Sequence, residues 1–276
     1  MTTSRHEVSY EINNRLHDYP RHDIDVHASQ EEMDRFVEDG YVLRRGFIPP
    51  EWVREFGAAV DALAEQEKDA AGAEVLERNG LYFRRLLDKD ASFHKLITYD
   101  PALSVARALL GPRVSFSMDC RYALAGVADA GVPWHMHLCV IPEPLPPFFC
   151  FPHSVHGLIY LDEIDESEGP LCVIPGSHKT PRMELDGTYE PHPEEDRIKF
   201  APGDAVLMHG NLWHRTVPTA PGCGQRRLLL FSYAPAWLRN EVALGVPPEG
   251  ALTDKLRHSD DPQLAELVDG SSVYTL

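Results

Sequence analysis

The hydrophobic pattern of the chain changes character near residue 112. Before that point, apolar positions recur mainly at helical spacing. Ser29 and Gly40 have the positions of an N-cap and a C-terminal glycine around one short helix. A longer helix is predicted from Pro50, and a third is predicted from Asp100 to the glycine and proline at 111–112. The segment 41–48 between the first two helices is predicted to contain a short strand.

Beyond residue 112, the pattern is that of strands. Strict alternation begins the region, with apolar side chains at Val114, Phe116, Met118, Cys120, Tyr122 and Leu124. Turns rich in glycine and proline separate the further strand candidates, at 134–140, 155–163, 171–174, 196–200, 204–209, 212–218 and 226–236. About eight short strands punctuated in this way favour a jelly roll or a related barrel. The predicted class is mainly β with α, a jelly roll buttressed by N-terminal helices.

The domain organisation follows from the same pattern. Residues 1–28 are polar and aperiodic, which predicts a flexible N-terminal arm. Residues 29–240 show no internal repeat and no low-complexity linker, so they are predicted to form one domain. Residues 241–276 are predicted to be an extension packed on that domain, with a short helix starting near residue 260.

Charge and composition exclude several classes of function. Lys and Arg total 26 against 43 Asp and Glu, and the resulting net charge of −17 disfavours binding to nucleic acid. The sequence has neither a run long enough for a membrane span nor an apolar leader, so a cytoplasmic protein that does not bind membranes is expected. The five cysteines have no CxxC spacing, which favours buried free thiols at Cys120, Cys139 and Cys172.

Three short motifs carry candidate chemistry. In Trp134-His135-Met136-His137, an extended strand would direct both imidazoles to one face, where they can meet one metal ion. His214, which follows an apolar strand and a turn, can supply a third imidazole. Arg226 precedes a further apolar strand, and an inward guanidinium there would bind a carboxylate through two hydrogen bonds. Each motif alone is commonly structural, so their order and spacing carry the argument.

Two further blocks accompany these motifs. Residues 36–47 form the first block, and the second runs from Leu158 through Glu168-Gly169-Pro170 to Pro175-Gly176-Ser177-His178. From about residue 29 to 240, the chain thus resembles the phytanoyl-CoA dioxygenase-like family of Fe(II)- and 2-oxoglutarate-dependent oxygenases. The resemblance implies a double-stranded β-helix, also called a cupin-like jelly roll, with iron held in its open mouth.

The same resemblance assigns roles to individual residues. It implies metal ligation by His135 and His214, and binding of the distal carboxylate of 2-oxoglutarate by Arg226 with help from Thr216. His209 aligns with a non-ligand position. His178 is expected to order its own turn.

One residue departs from the family pattern. The family's metal motif is His-x-Asp, and His137 stands where the aspartate belongs. His137 can complete a three-imidazole site, which raises the charge of the metal and its protein ligands from +1 to +2. Alternatively, it swings away and leaves two protein ligands, or the oxoglutarate chemistry is lost or altered. Glu143 or Asp129 would then be a candidate replacement carboxylate.

The expected function is oxidation of a small or medium organic metabolite, most simply hydroxylation, with Fe(II), 2-oxoglutarate and O2. Specialised (secondary) metabolism is the expected setting. The proline-rich segment 142–152 is a candidate wall of the substrate pocket. Two alternatives stay open: a three-histidine oxygenase of cupin type that needs no cosubstrate, and a metal-binding relative without turnover. The sequence names neither the substrate nor the oligomeric state.

Overall fold

The fold is seen in a computed structural model that describes residues 6–10, 22–67, 75–76, 80–137, 153–180, 183–236, 238 and 250–269. The helices in this part of the chain are α1 Gln30–Asp39, α2 Pro50–Glu67, α3 Leu86–Lys89, α4 Asp100–Leu110, α5 Leu252–Arg257 and α6 Pro262–Asp269. The strands are β1 His6–Tyr10, β2 His22–Val26, β3 Tyr41–Arg44, β4 Val75–Leu76, β5 Gly80–Phe83, β6 Val114–Ala123, β7 Val132–His135, β8 Val155–Tyr160, β9 Leu171–Val173, β10 Asp196–Ile198, β11 Ala205–His209, β12 His214–Thr216 and β13 Arg226–Pro235.

Two antiparallel sheets form the centre of the fold. The larger has seven strands in the order β3-β11-β8-β13-β6-β5-β4, and the smaller has four in the order β10-β9-β12-β7. Strands β1 and β2 pair separately. Neighbouring strands in the sheets come from distant parts of the sequence, which is the connectivity of a jelly roll rather than of simple hairpins. The predicted fold is therefore confirmed.

Alternation along the strands separates three apolar layers. Outward side chains of the larger sheet, such as Ile159 and Phe231, join the helices in one core. Inward side chains of both sheets, such as Leu158 and Val173, form a second core between the sheets. Trp134 and Trp213 pack on the outer face of the smaller sheet. Because successive side chains point to opposite faces, the neighbours of these tryptophans point inward.

The helix signals read from the sequence have the expected structural roles. The Ser29 hydroxyl accepts a hydrogen bond from the backbone of Glu32, whose side chain accepts one from the Ser29 backbone in return. Gly40 ends α1 with a positive φ of 85°. Helix α2 buries Phe56, Val60 and Leu63, a stripe at helical spacing. The helices predicted from residues 29, 50 and 100 are confirmed.

The two terminal segments have more structure than their composition suggests. Among residues 1–28, the pair β1–β2 is described, and Val26 and Ala28 belong to the core that the helices share. Near the other end, α6 buries Leu267 and Val268 in the same core. The boundaries at residues 28 and 240 stay predictions. In the described part of the chain, no helix has the length and apolar character needed to cross a membrane.

Gly157 offers a test of the packing on the outer face of the larger sheet. A Cβ at this position would collide with the ring of Phe231, which is itself stacked on Phe47 and Phe116. We expect Gly157→Ala to lower the free energy of unfolding by about 1–3 kcal/mol through overpacking. Gly224→Ala is the control, because a Cβ there meets nothing within 4 Å. Equal midpoints of the two variants in chemical unfolding would contradict this packing account.

Candidate metal centre

Three histidines converge between the two sheets. His135 ends β7 and lies directly opposite His214, the first residue of β12, while His137 follows two residues after His135. The ring centroids of His135 and His214 are 4.1 Å apart, and those of His137 and His214 are 4.8 Å apart. One nitrogen from each ring can be chosen so that all three lie within 4.8 Å of one another. The predicted trio is therefore brought together.

Local backbone geometry prepares two of these rings for a metal. The Nδ1 of His135 lies 2.8 Å from the carbonyl oxygen of Pro133, and the Nδ1 of His214 lies 2.8 Å from that of Leu212. A carbonyl oxygen only accepts, so each Nδ1 carries the proton and donates it. Each Nε2 then keeps its lone pair, as a metal ligand requires. The same contact to the residue two positions earlier orients both rings.

His137 is held by a different partner. Its backbone N–H donates to the carbonyl of Gly210 at 2.8 Å, and its Nδ1 lies 2.9 Å from the Nδ1 of His156. Its Nε2 is 3.4 Å from the Nε2 of His135, a spacing compatible with two ligands of one ion. The third ring thus depends on a side chain from β8 in the opposite sheet.

The electrostatic environment favours the neutral form of two of the three histidines. Burial lowers the pKa of His137 well below its ordinary value, and the neighbouring His156 and His135 lower it further. Burial, followed by His135 and His137, likewise lowers the pKa of His214. Neutral imidazole is the form that binds a metal. The nitrogen donors, their spacing and their protonation therefore fit a divalent transition metal.

Arg226 lies on the inner face of β13, in alternation with Leu228 of the central core. One terminal nitrogen donates to the carbonyl oxygens of Glu168 and Gly169, each at 2.8 Å. The other donates to the Asp129 carboxylate at 3.0 Å. The buried Nε of Arg226 has no hydrogen-bond partner among the described residues. A donor is thus left in place for a ligand that bears a carboxylate.

Asp129 links this arginine to a second one. A terminal nitrogen of Arg121 donates to both carboxylate oxygens of Asp129 at 2.7 Å. The backbone of Asp129 exchanges hydrogen bonds with Thr219, and the backbone of Gly131 donates to the carboxylate. The side chains of Asp129 and Arg226 are 0% and 2% exposed. Asp129 therefore neutralises arginine charge, and it is not among the residues that converge with His135, His137 and His214.

The other residues singled out in the sequence lie in distinct places. Thr216 follows His214 by two residues on β12, so both side chains share the inner face. His178 lies in the short 3-10 helix Ser177–Lys179, and its Nε2 is 3.1 Å from the carbonyl oxygen of Val37, which links this turn to α1. His209 ends β11 and accepts a hydrogen bond from the backbone of Asn211.

Glu143, Cys139 and the segment 142–152 lie outside the described residues, whereas Cys120 and Cys172 are buried free thiols as predicted.

Three residues of this region escape the sequence analysis: Arg121, Asp129 in its role as counter-ion, and His156. His156 is the one polar residue of the otherwise apolar strand β8, whereas Arg121 is a buried charged residue on the polar face of β6. A polar residue in an apolar strand and a charged residue in a buried strand are usable signals, because a buried polar side chain needs a partner. The identity of the partner is not visible in the local sequence.

Comparison with known proteins agrees with this arrangement. Residues 36–224 match the family described as phytanoyl-CoA dioxygenase (PhyH). The chain belongs to this family. The match spans both the metal motif and His214, and it confirms the family proposed from the sequence. PhyH membership also agrees with the two-sheet fold and with a site that lies between the sheets.

Individual relatives of this PhyH chain are distant. The ectoine dioxygenase of Nocardia farcinica (strain IFM 10152) is 26% identical over 162 residues, which is 56% of this chain and 52% of that protein. The chain thus matches about half the length of this curated relative.

Solved structures share the fold. HygX from Streptomyces hygroscopicus, with nickel and 2-oxoglutarate bound, has a TM-score of 0.62 at 19% identity, covering 76% of this chain and 88% of HygX. The epimerase SnoN, in complex with Fe3+, alpha ketoglutarate and nogalamycin RO, has a TM-score of 0.61 at 18% identity, covering 80% of this chain and 91% of SnoN.

The pairing at Asp129 predicts a large effect on stability. Asp129→Asn keeps the size of the side chain but leaves the buried guanidinium of Arg226 against a neutral amide. We expect the free energy of unfolding to fall by about 3–5 kcal/mol, the usual cost of breaking a buried pair from one side. Glu31→Gln, which breaks the exposed pair of Glu31 and Arg35, should change it little. Urea unfolding of both variants measures the difference, and similar losses would refute the account.

Proposed function

We propose that this protein is a non-haem iron oxygenase that uses 2-oxoglutarate and O2 to oxidise a small or medium organic metabolite, most simply by hydroxylation. His135, His137 and His214 are the proposed iron ligands. Arg226 and Thr216 are the proposed contacts to the distal carboxylate of 2-oxoglutarate. The observation that carries the proposal is the convergence of three imidazoles between the two sheets, with burial lowering the pKa of His137 and His214.

The chain's own part in the reaction is to hold and orient. His135 and His214 present Nε2 because their Nδ1 protons are held by backbone carbonyls. Arg226 is fixed by three hydrogen bonds, and its Nε, which has no partner among the described residues, is the donor proposed for the carboxylate. When bound, iron would activate O2, which is the oxidant, and 2-oxoglutarate would supply two of the four electrons as it is converted to succinate and CO2, the substrate supplying the other two.

The charge of the centre supports a dianionic cosubstrate. Three neutral imidazoles leave the full +2 charge on a ferrous ion, whereas the usual aspartate would reduce it to +1. A 2-oxoglutarate dianion would neutralise that charge. Its distal carboxylate would lie with the cluster of Arg121, Asp129 and Arg226, two cations and one anion among the described side chains.

The substrate class is supported by the polar inner face and by relatives. Ser117 and Ser232 hydrogen-bond each other at 2.9 Å, and Ser232 lies opposite His156 in the larger sheet. This row supplies hydroxyl groups beside the histidines, suited to a substrate that bears hydrogen-bonding groups. Ectoine dioxygenase is named for a small molecule, and HygX has been crystallised with hygromycin B. We propose a small organic metabolite for this chain as well.

A second function is favoured by one observation. The Asp129 carboxylate already occupies one terminal nitrogen of Arg226, so an internal anion takes part of the arginine that 2-oxoglutarate would need. An oxygenase of cupin type with three histidine ligands needs no cosubstrate and no free arginine. This candidate predicts that O2 and iron alone sustain turnover, which the experiments below distinguish from the first proposal.

Metal binding is the first testable consequence. We expect His214→Ala to lose tight binding of Fe(II), because it removes a buried ligand at the centre of the cluster. His258→Ala is the control, since this exposed histidine lies on the end of α5. Anaerobic calorimetry with Fe(II) measures both variants after circular dichroism has established that they are folded. Unchanged Fe(II) binding by folded His214→Ala would exclude this ligand set.

Cosubstrate binding is the second consequence. Anaerobic addition of 2-oxoglutarate to the Fe(II)-loaded protein should produce the weak visible absorption of a chelated oxoacid. Arg226→Ala should weaken 2-oxoglutarate binding about 10- to 100-fold, as expected for a charged hydrogen bond worth about 1.5–3 kcal/mol. Arg226→Lys should recover only part of it, because lysine lacks the planar pair of donors.

The iron content of both arginine variants should stay unchanged. Candidate metabolites are then screened for succinate formed in equal amount to oxidised product. Iron-dependent oxidation that proceeds equally without 2-oxoglutarate would reject the first proposal and support the second.

A further inference from the structure

We infer that His156 is a positioning residue that holds His137 in the orientation and tautomer needed to bind the metal. The Nδ1 of His135 and of His214 each donates to a main-chain carbonyl, whereas the Nδ1 of His137 has the His156 side chain as its partner. The inference rests on the proposed metal site. It adds a residue that lies outside the three ligands and outside the His-x-His motif.

The direction of the hydrogen bond between the two rings follows from ligation. A neutral imidazole has one N–H, so His137 can offer the lone pair of Nε2 to a metal only when its proton is on Nδ1. That proton must then be donated to the Nδ1 of His156, 2.9 Å away. With its Nδ1 accepting, His156 carries its own proton on Nε2.

The Nε2 proton of His156 also has a hydrogen-bond acceptor within reach. The Nε2 of His156 lies 3.0 Å from the hydroxyl oxygen of Ser154, which can accept the hydrogen bond. The polar atoms therefore run from the metal-facing Nε2 of His137 through His156 to Ser154 with one consistent direction of donation. The opposite direction would place the His137 proton on Nε2 and block ligation.

The position of His156 is fixed by the larger sheet. It lies on the inner face of β8, where its neighbours in register are Met208 on β11 and Ser232 on β13. Its ring meets that of His137 nearly edge to face, at 82° with centroids 4.0 Å apart.

Gly210 joins the two ends of this chain of hydrogen bonds. Its carbonyl accepts from the backbone of His137 at 2.8 Å, and its N–H donates to the carbonyl of Ser154 at 3.1 Å. A Cβ on Gly210 would collide with the Ser154 hydroxyl. The glycine therefore allows Ser154 to approach closely enough to serve His156, while it ties the main chain of His137 to the same strand end.

This arrangement accounts for how a histidine can serve at the family's aspartate position. A carboxylate has two oxygens and needs no particular tautomer, whereas imidazole presents one lone pair that depends on the location of its proton. The carbonyl two residues before His137 belongs to His135, and the observed Nδ1 partner is His156 instead. Ligands whose other nitrogen loses its partner typically bind metal about 10- to 100-fold more weakly.

The test is a titration of the metal-free protein with Co(II), in which the visible absorption of the bound Co(II) reports binding. His156→Phe keeps a ring but removes the acceptor, and we expect Co(II) affinity to fall about 10- to 100-fold with a changed spectrum. His156→Asn is the conservative control, because its Oδ1 can accept from His137 in nearly the same place. It should recover most of the affinity.

A double-mutant cycle separates positioning from general stability. In a His137→Ala background, adding His156→Phe should not weaken Co(II) binding further, because the ring that it positions is already gone. NMR of the Zn(II)-loaded wild type, through the couplings of the imidazole nitrogens, should place the His137 proton on Nδ1. Circular dichroism establishes that each variant is folded.

The outcomes distinguish the inference from the proposed function. If wild type binds no Co(II), the metal site itself fails, and with it the inference. If wild type binds Co(II) but folded His156→Phe binds it equally well with the same spectrum, the inference is overturned while the metal site stands. A His137 proton found on Nε2 would also overturn the inference. So would a His156→Phe substitution that lowers Co(II) affinity equally with His137 present and with His137→Ala.

Discussion

The period-two alternation of two short paired strands is the constraint on which the rest of this site depends. Trp134 of β7 and Trp213, directly before β12, pack on the outer face of the smaller sheet, so the residues that follow them, His135 and His214, point inward. Their direct pairing across the strands brings the rings together without any long-range adjustment. A shift of one residue in either strand would exchange tryptophan and histidine and destroy both the outer core and the metal site.

Burial then dictates what the inward polar groups must do. Charged groups between two sheets need partners, since an uncompensated charge there costs several kcal/mol. The guanidinium of Arg226 meets this need with Asp129 and with two carbonyl oxygens. The histidines meet it by staying neutral, as the lowered pKa values of His137 and His214 indicate. Among the described residues between the sheets, the charged cluster around Arg226 is thus distinct from the histidine cluster.

The histidine cluster explains how this PhyH chain departs from the family's His-x-Asp motif without losing a plausible metal site. Replacing carboxylate by imidazole removes a negative charge from the ligands, and no described carboxylate joins the three rings in its place. The replacement needs control of a proton position as well as of a side-chain position. Side chains from both sheets meet that need together, which places the proposed ligand His137 at the junction of the two layers.

The sequence by itself determined the elements and the local geometry. Some features depend only on residues a few positions apart, so they can be predicted from the sequence. They include the capping at Ser29, the alternation in β6 and the approach of His135 to His137. Only the tertiary structure decided which polar groups meet. Asp129 and Arg226 are 97 positions apart, and the pairing of His156 with His137 depends on two different sheets. Hydrogen-bond partners act over about 3 Å of space, and strand order in the folded sheets, rather than distance along the chain, sets which groups come that close.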